Sequence, residues 1–199
     1  MRRGTLVVIS GPSGVGKGTI VKEIRRLNEN IKLSVSATTR APRPEDTEGV
    51  TYFFKTKAEF EEMIARGEFL EYAVYNNNYY GTPMKAVDEM LAAGFDVVLE
   101  IEVQGGLQIM ERRPDAAVIF LAAPSFAELE RRLRDRGDTS EEDIVRRVAT
   151  AHWEYTQAPK YQYIVENDII DECANEVLSI ITAEKCRAKY QLYLVKETD

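Results

Sequence analysis

The sequence is poor in the residues that most often carry chemistry alone: among 199 residues there are two cysteines, one histidine and one tryptophan. Two cysteines, Cys173 and Cys186, make no disulfide framework and lack metal-ligand spacing, so both are expected to be reduced thiols. His152, beside Trp153, is expected to pack on a helix rather than to move protons. No apolar run approaches the length of a membrane-spanning helix, and the stretch after Met1 enters a strand-like run without a cleavage pattern; the expected location is the cytoplasm, away from membranes. Positive charge is also in deficit. With 26 Lys and Arg against 33 Asp and Glu, the net charge is -7, which argues against nucleic-acid binding, because a phosphate polymer needs a basic surface. Any phosphate recognition must therefore be local. Internal repeats and low-complexity segments are absent as well.

What is present is the balance of a soluble globular chain, with 44% hydrophobic and 30% charged residues, long enough for one principal domain with a real core. Thr5–Ser10 is an apolar, β-branched run that enters a glycine-rich turn, and a helical pattern follows over about 19–27. Val97–Ile101, Ala117–Leu121 and Tyr163–Val165 are continuous rather than alternating, which marks strands covered on both faces, as in a parallel sheet. Helical patterns at about 57–66, 84–93, 125–136, 140–156 and 171–190 separate them, with Gly94 and Gly137 as helix stops. Alternation of this kind means an α/β fold. Residues 37–83 differ, being rich in Thr, Arg, Pro and Tyr around one helix, with strand-like pieces at 51–54 and 69–75. They are expected to form an inserted lobe. Residues 125–149, dense in arginine and acid, are expected to form a helical lid, leaving a core of 1–36, 84–124 and 150–199.

Gly11-Pro12-Ser13-Gly14-Val15-Gly16-Lys17 fits the G-x-x-x-x-G-K phosphate loop between a strand and a helix, the context that motif requires. Glycines let backbone N–H groups turn inward around phosphate oxygens, the helix N-terminus adds partial positive charge, and Lys17 supplies a cation. The loop departs from the usual pattern at Gly18, where a Ser or Thr normally helps hold Mg²⁺; Thr19 follows. The metal would then rely on water, substrate phosphates and Thr19, and no direct protein ligand is assigned. In Arg40-Ala-Pro-Arg43-Pro, two arginines stand three apart on a loop stiffened by prolines, with Tyr52 beyond. Planar guanidiniums pair two phosphate oxygens at once and stay charged, so this reads as a monophosphate clamp.

The order Thr38-Thr39-Arg40-Ala-Pro-Arg43-Pro-Glu-Asp46-Thr-Glu-Gly49-Val-Thr-Tyr52, taken with the phosphate loop, resembles the signature of guanylate kinases. Phe69-Leu-Glu71, Asn78–Gly81, Glu100–Gly105 and Leu133–Gly137 follow in that family's order and spacing, so the resemblance covers nearly the whole chain. It implies a three-layer P-loop NTPase fold with a parallel central sheet, a small α+β GMP-binding lobe and a helical lid. The activity implied is transfer of phosphate from ATP to GMP, and also to dGMP, in purine metabolism. Mg²⁺ is implied as cofactor with ATP as co-substrate, in a monomer or small homo-oligomer.

On the same resemblance, ATP is held by Gly11–Thr19, Arg132 and Arg136. Ser36, Glu71 and Thr82 read the purine, while Arg40, Arg43, Tyr52 and Tyr80 hold the acceptor phosphate. A carboxylate at Glu71 accepts from the adjacent N1–H and N2–H donors of guanine, where adenine has an acceptor at N1; a hydroxyl of Ser36 or Thr82 donates to O6. Stranding a buried carboxylate gives discrimination on the order of 10⁴. Asp46 stands where the family more often has Glu, and Glu102 where it more often has Asp; they are expected to position an arginine or the water shell of the metal. Lys17, Arg40, Arg136 and Arg147 are the expected catalytic cations, whereas Arg131 and Arg146 are expected to form surface ion pairs. Two rivals differ in class: an interaction module on the same fold, and a kinase for another monophosphate. The intact phosphate loop opposes the first and Glu71 opposes AMP as acceptor.

Overall fold

The computed structural model describes residues 3–75, 77–135 and 141–195. Its central sheet has five strands, β1 (Leu6–Ser10), β2 (Ile31–Leu33), β7 (Asp96–Glu100), β8 (Ala117–Ala122) and β9 (Tyr163–Glu166), in the order β2-β7-β1-β8-β9. All four pairings are parallel. The continuous apolar runs are required because both faces are covered. Val7, Ile9, Val98, Ile119 and Leu121 pack against Ile20, Val21 and Ile24 of α1 (Lys17–Leu27) and Ala174, Val177 and Ile181 of α7 (Ile170–Lys185). The alternate residues Leu6, Val8, Val97, Leu99, Val118 and Phe120 face Val87 and Leu91 of α3 (Met84–Ala92) and Val103 and Ile109 of α4 (Val103–Arg112). Successive side chains of a strand point to opposite faces, so each strand feeds two apolar layers. The result is three layers, helix on sheet on helix, as the family resemblance implies, on the α/β plan expected from the alternation of strand and helix patterns.

A second sheet of four strands, in the order β4-β3-β6-β5, is built from β3 (Ser36–Thr38), β4 (Tyr52–Phe54), β5 (Phe69–Tyr75) and β6 (Asn78–Pro83). β3 pairs parallel to β4 and antiparallel to β6, and β5 pairs antiparallel to β6 with a register shift between Phe69 and Glu71. One face packs on α2 (Lys57–Ala65), whose Phe60 stacks on Phe69 at 4.4 Å and on Tyr79 at 5.1 Å between ring centroids. Thr56 and Glu59 close a reciprocal capping box that fixes where α2 starts. α5 (Phe126–Arg134) and α6 (Glu141–Gln157) follow β8, and a short α8 (Ala188–Gln191) follows α7.

Several details depart from the sequence pattern. α4 and strands β2, β3 and β6 were not marked by periodicity, the long pattern at 171–190 breaks after Lys185, and α1 begins at Lys17. Ser36, assigned to the core, belongs to the second sheet. Gly94 has φ 92° and its N–H returns to the carbonyl of Leu91, which ends α3 as expected. Gly137 lies outside the described residues. Cys173 is buried and Cys186 exposed, and both are free thiols.

Candidate functional site

The site lies at the carboxyl ends of the parallel strands, where α/β sheets bind ligands. β1 delivers the chain into the phosphate loop, whose geometry only glycine allows. Gly11 has φ 144°, and a Cβ there would stand 2.5 Å from the carbonyl oxygen of Leu121; Gly16 has φ 95°, and its Cβ would stand 2.5 Å from Asn167 Nδ2. Gly16 caps α1 without a side-chain acceptor, which leaves the first-turn N–H groups to an anion. Lys17 Nζ folds back onto the carbonyl oxygens of Gly11 at 2.6 Å and Pro12 at 3.1 Å. These two bonds hold the lysine back against the loop's own turn.

Two residues that sequence reasoning did not single out complete the loop's surroundings. Asn167, buried after β9, donates from Nδ2 to the carbonyl of Val15 at 2.7 Å, and its own carbonyl accepts from Arg132 Nη1 at 2.9 Å. It therefore ties the loop to α5. Glu100 ends β7, with its carboxylate oxygens 3.4 and 3.6 Å from where a Cβ of Gly18 would stand. Crowding by the cleft raises the carboxyls of both Glu100 and Glu102, and Lys17 pulls both back. Glu154 of α6 is a third such group: burial lifts its pKa to about 7, against the pull of Lys17. A charged residue closing an apolar strand, as in Val-Val-Leu-Glu100, is the signal that could have marked the first of them.

The second sheet gathers the remaining residues on the face opposite α2. Ser36 pairs across with Tyr52, Thr38 with Tyr80 and Glu71 with Thr82. Partners in a ladder share a face, so Ser36, Tyr52, Tyr80, Thr82 and Glu71 line one surface. Glu71 is 4% exposed and accepts from Thr82 Oγ1 at 2.6 Å. Burial pushes its pKa up to about 7, opposed by the hydrogen bonds from Thr82. The Thr82 proton is thereby directed at Glu71, not left for a purine oxygen. Tyr52 and Tyr80 meet edge to face at 6.0 Å.

Beside them, Arg40 Nη2 pairs with Asp46 Oδ2 at 2.9 Å, and the same oxygen accepts the backbone N–H of Arg43 at 2.7 Å. The Arg40 guanidinium lies 5.3 Å from the ring centroid of Tyr52. Asp46 thus fixes both the side chain of one arginine and the backbone of the other. The backbone donor of Arg43, then Arg40, hold its carboxyl below the usual range. A guanidinium held by one carboxylate edge and an aromatic face keeps further N–H donors for a second anion.

The arginines of α5 and α6 do not form one cationic face. Arg131 pairs with Glu128 and Asp135, Arg134 with Glu130 and Glu141, and Arg146 with Asp143. Arg132, paired with Glu128, reaches the backbone carbonyl of Asn167 beside the loop. Arg147 is half-buried on α6, and Arg136 lies outside the described residues. His152 stacks on Phe126 at 3.9 Å, a packing role as expected.

Comparison with known proteins follows the same division. A family model described as guanylate kinase matches residues 3–184. Guanylate kinases of Halalkalibacterium halodurans and Streptococcus pneumoniae R6 are similar at 49% and 51% identity, over 93% and 92% of this chain and 91% and 88% of theirs. The crystal structure of guanylate kinase from Anaplasma phagocytophilum superposes with a TM-score of 0.75 at 32% identity, covering 94% of this chain and 88% of that one. A shikimate kinase from Bacteroides thetaiotaomicron, at 18% identity and a TM-score of 0.50, shares the fold.

Proposed function

The chain belongs to the guanylate kinase family, and from that premise we propose that it transfers the γ-phosphoryl group of ATP to GMP, releasing ADP and GDP, with the residues above in defined roles. The observation that carries the assignment is that the small sheet presents a buried Glu71 on the face shared by Ser36, Tyr52, Tyr80 and Thr82, while the Asp46-braced Arg40, two residues past β3, lies against Tyr52 of that face. That face suits one acceptor with a donor-rich purine edge at one end and a phosphate at the other. Residues 36–83 act as the acceptor lobe and 125–149 as the lid, with the remainder as core.

Glu71 accepts N1–H and N2–H of guanine, Ser36 donates to O6, and Thr82 orients the carboxylate. Arg40, Arg43, Tyr52 and Tyr80 hold the acceptor phosphate. Residues 11–19 cradle the ATP phosphates, with Arg132, Arg136 and Arg147 closing over them. An anionic oxygen of GMP attacks the γ-phosphorus, forming one P–O bond as the bond to the β–γ bridging oxygen breaks and its electron pair leaves with ADP. No general base is needed, because the nucleophile is already ionised. Positioning and charge stabilisation supply the rate, and Lys17 with the lid arginines meets charge on the equatorial oxygens. dGMP presents the same purine and phosphate and is accepted too.

The oxygen donors near the loop fit Mg²⁺ held through its water shell. Gly18 offers no hydroxyl, but the Glu100 carboxylate lies against that position, and Glu102 opens α4 nearby. Mg²⁺ keeps much of its hydration shell, so such carboxylates would hold it through water. Thr19 is exposed on the first turn of α1 and is a lesser candidate. When bound, the ion neutralises charge between the phosphates of ATP. Among the described residues no helix is long and apolar enough to cross a membrane.

Coupled ADP release, run with ATP, Mg²⁺ and each of GMP, dGMP, AMP, CMP and UMP, tests this reading. GMP should exceed AMP in kcat/KM by on the order of 10⁴. Lys17→Ala should lower kcat by about 10²-fold or more while GMP affinity stays within about twofold. Equal use of AMP, or a Lys17→Ala enzyme as fast as the parent, would refute the assignment; no ADP release with any acceptor would favour an interaction module.

A further inference from the structure

β5 carries Glu71 and is an edge strand of its sheet, with one side unpaired by any strand among the described residues. That side faces α4. Gly105, Gln108 and Arg112 recur at i, i+3 and i+7, so they share one face of the helix. Each meets β5. Gln108 accepts the backbone N–H of Tyr72 at 3.3 Å and donates from Nε2 to the carbonyl of the same residue at 2.8 Å, as a neighbouring strand would. Arg112 donates to the carbonyls of Phe69 and Leu70 at 3.3 and 3.1 Å. Gly105 has no side chain where one would collide: a Cβ there would stand 2.7 Å from Glu71 Oε2 and 3.2 Å from its carboxyl carbon.

We infer that α4 is a positioning element for acceptor recognition, in which Gly105 leaves the notch that seats the Glu71 carboxylate and Gln108 holds the register of the strand that carries it. This rests on the reading that Glu71 recognises the purine. The two residues act at different points. Gln108 fixes the backbone immediately after Glu71, whereas Gly105 sets how far the carboxylate extends toward the helix. Thr82 holds the other oxygen, so a Cβ at position 105 cannot be accommodated by a simple shift of the carboxylate; the Thr82 bond must stretch or the side chain must turn. On the proposed reading the ATP phosphates sit within residues 11–19, away from β5, so ATP affinity should not feel the change.

The test compares Gly105→Ala, Gln108→Ala, Glu71→Asp and the double variant Gly105→Ala/Glu71→Asp. Readouts are kcat/KM for GMP and AMP, the Kd for ATP, and thermal unfolding. Gly105→Ala should lower the GMP:AMP preference about tenfold or more, and Gln108→Ala about fivefold, the scale of one lost hydrogen bond, through KM for GMP and with Kd for ATP unchanged. Asp is one methylene shorter and relieves the collision, so the double variant should lose at least about fivefold less in kcat/KM for GMP than the product of the single losses.

Multiplicative losses, or a GMP:AMP preference at the parental value in both single α4 variants, would overturn the inference. If those variants are inert while Glu71→Asp reduces the preference, only the role of α4 fails. If Glu71→Asp leaves the preference intact, the reading of Glu71 itself fails. Should Gly105→Ala not fold, Gln108→Ala decides alone, by the same fivefold drop or by parental preference.

Discussion

At the scale of single residues, Glu71, the carboxylate proposed to read the purine, is the group whose environment says most. Glu71 lifts from an ordinary value near 4.5 to about 7 chiefly through burial, and only its ionised form can accept from both guanine donors. The GMP:AMP ratio of kcat/KM should therefore rise about tenfold between pH 6 and 8. Both acceptor phosphates titrate alike, so the ratio isolates Glu71; a flat ratio would mean that this carboxyl is not read by the base. For stability without ligand the sign is opposite. The folded state keeps a proton that the unfolded chain releases, so the contribution is complete below about 4.5 and is lost as pH rises through about 7. The type and place of this residue were legible through its family resemblance. Its burial, and the bond that directs Thr82 toward it rather than toward a base, depend on strand register and could not be read from spacing.

At the scale of elements, the two sheets differ in how much holds them together. The buried apolar core under the small sheet consists of Ala37, Phe60 and Phe69, against much larger clusters on either side of the parallel sheet. Phe60→Ala should cost about 3–5 kcal/mol, enough to open the small sheet locally without unfolding the rest. Hydrogen exchange should then accelerate across 52–83 while β1 and β8 keep their protection, and GMP affinity should fall with ATP affinity retained. Uniform loss of protection would show instead that the two sheets unfold as one unit. The same scale explains the missed helix. α4 contains Gly105 and Gly106, each about 1 kcal/mol less favourable than Ala in a helix, so Val-Gln-Gly-Gly-Leu reads as a loop. Both are glycine for tertiary reasons: a Cβ would meet Glu71 Oε2 at one and the Tyr161 hydroxyl at 2.5 Å at the other. β2 and β3 have three residues each, too short for a period to be seen.

At the scale of the whole molecule, the doubly covered sheet and the strand–loop–helix that begins on its central strand were plain in the sequence, because continuous apolar runs and a glycine-rich turn are local signals. The cleft is not local. It brings residues near 11–19, 40–52, 71–82, 100–102, 132, 154 and 167 into one region, and Glu100, Glu154 and Asn167 gain their meaning only there. The ion pairs of Arg131, Arg134 and Arg146 likewise show that a run of arginines is not a cationic face until its acids are placed. The central claim is that one nucleotide sits in the amide cup of the phosphate loop and a second sits end to end with it under Arg40 and Arg43. A crystal structure with GMP and a non-hydrolysable ATP analogue tests this most directly. The account predicts the guanine edge on the Glu71 carboxylate, the acceptor phosphate on both arginines and the analogue's phosphates within residues 11–19; a purine seated away from Glu71, or a phosphate out of reach of Arg40 and Arg43, would contradict it.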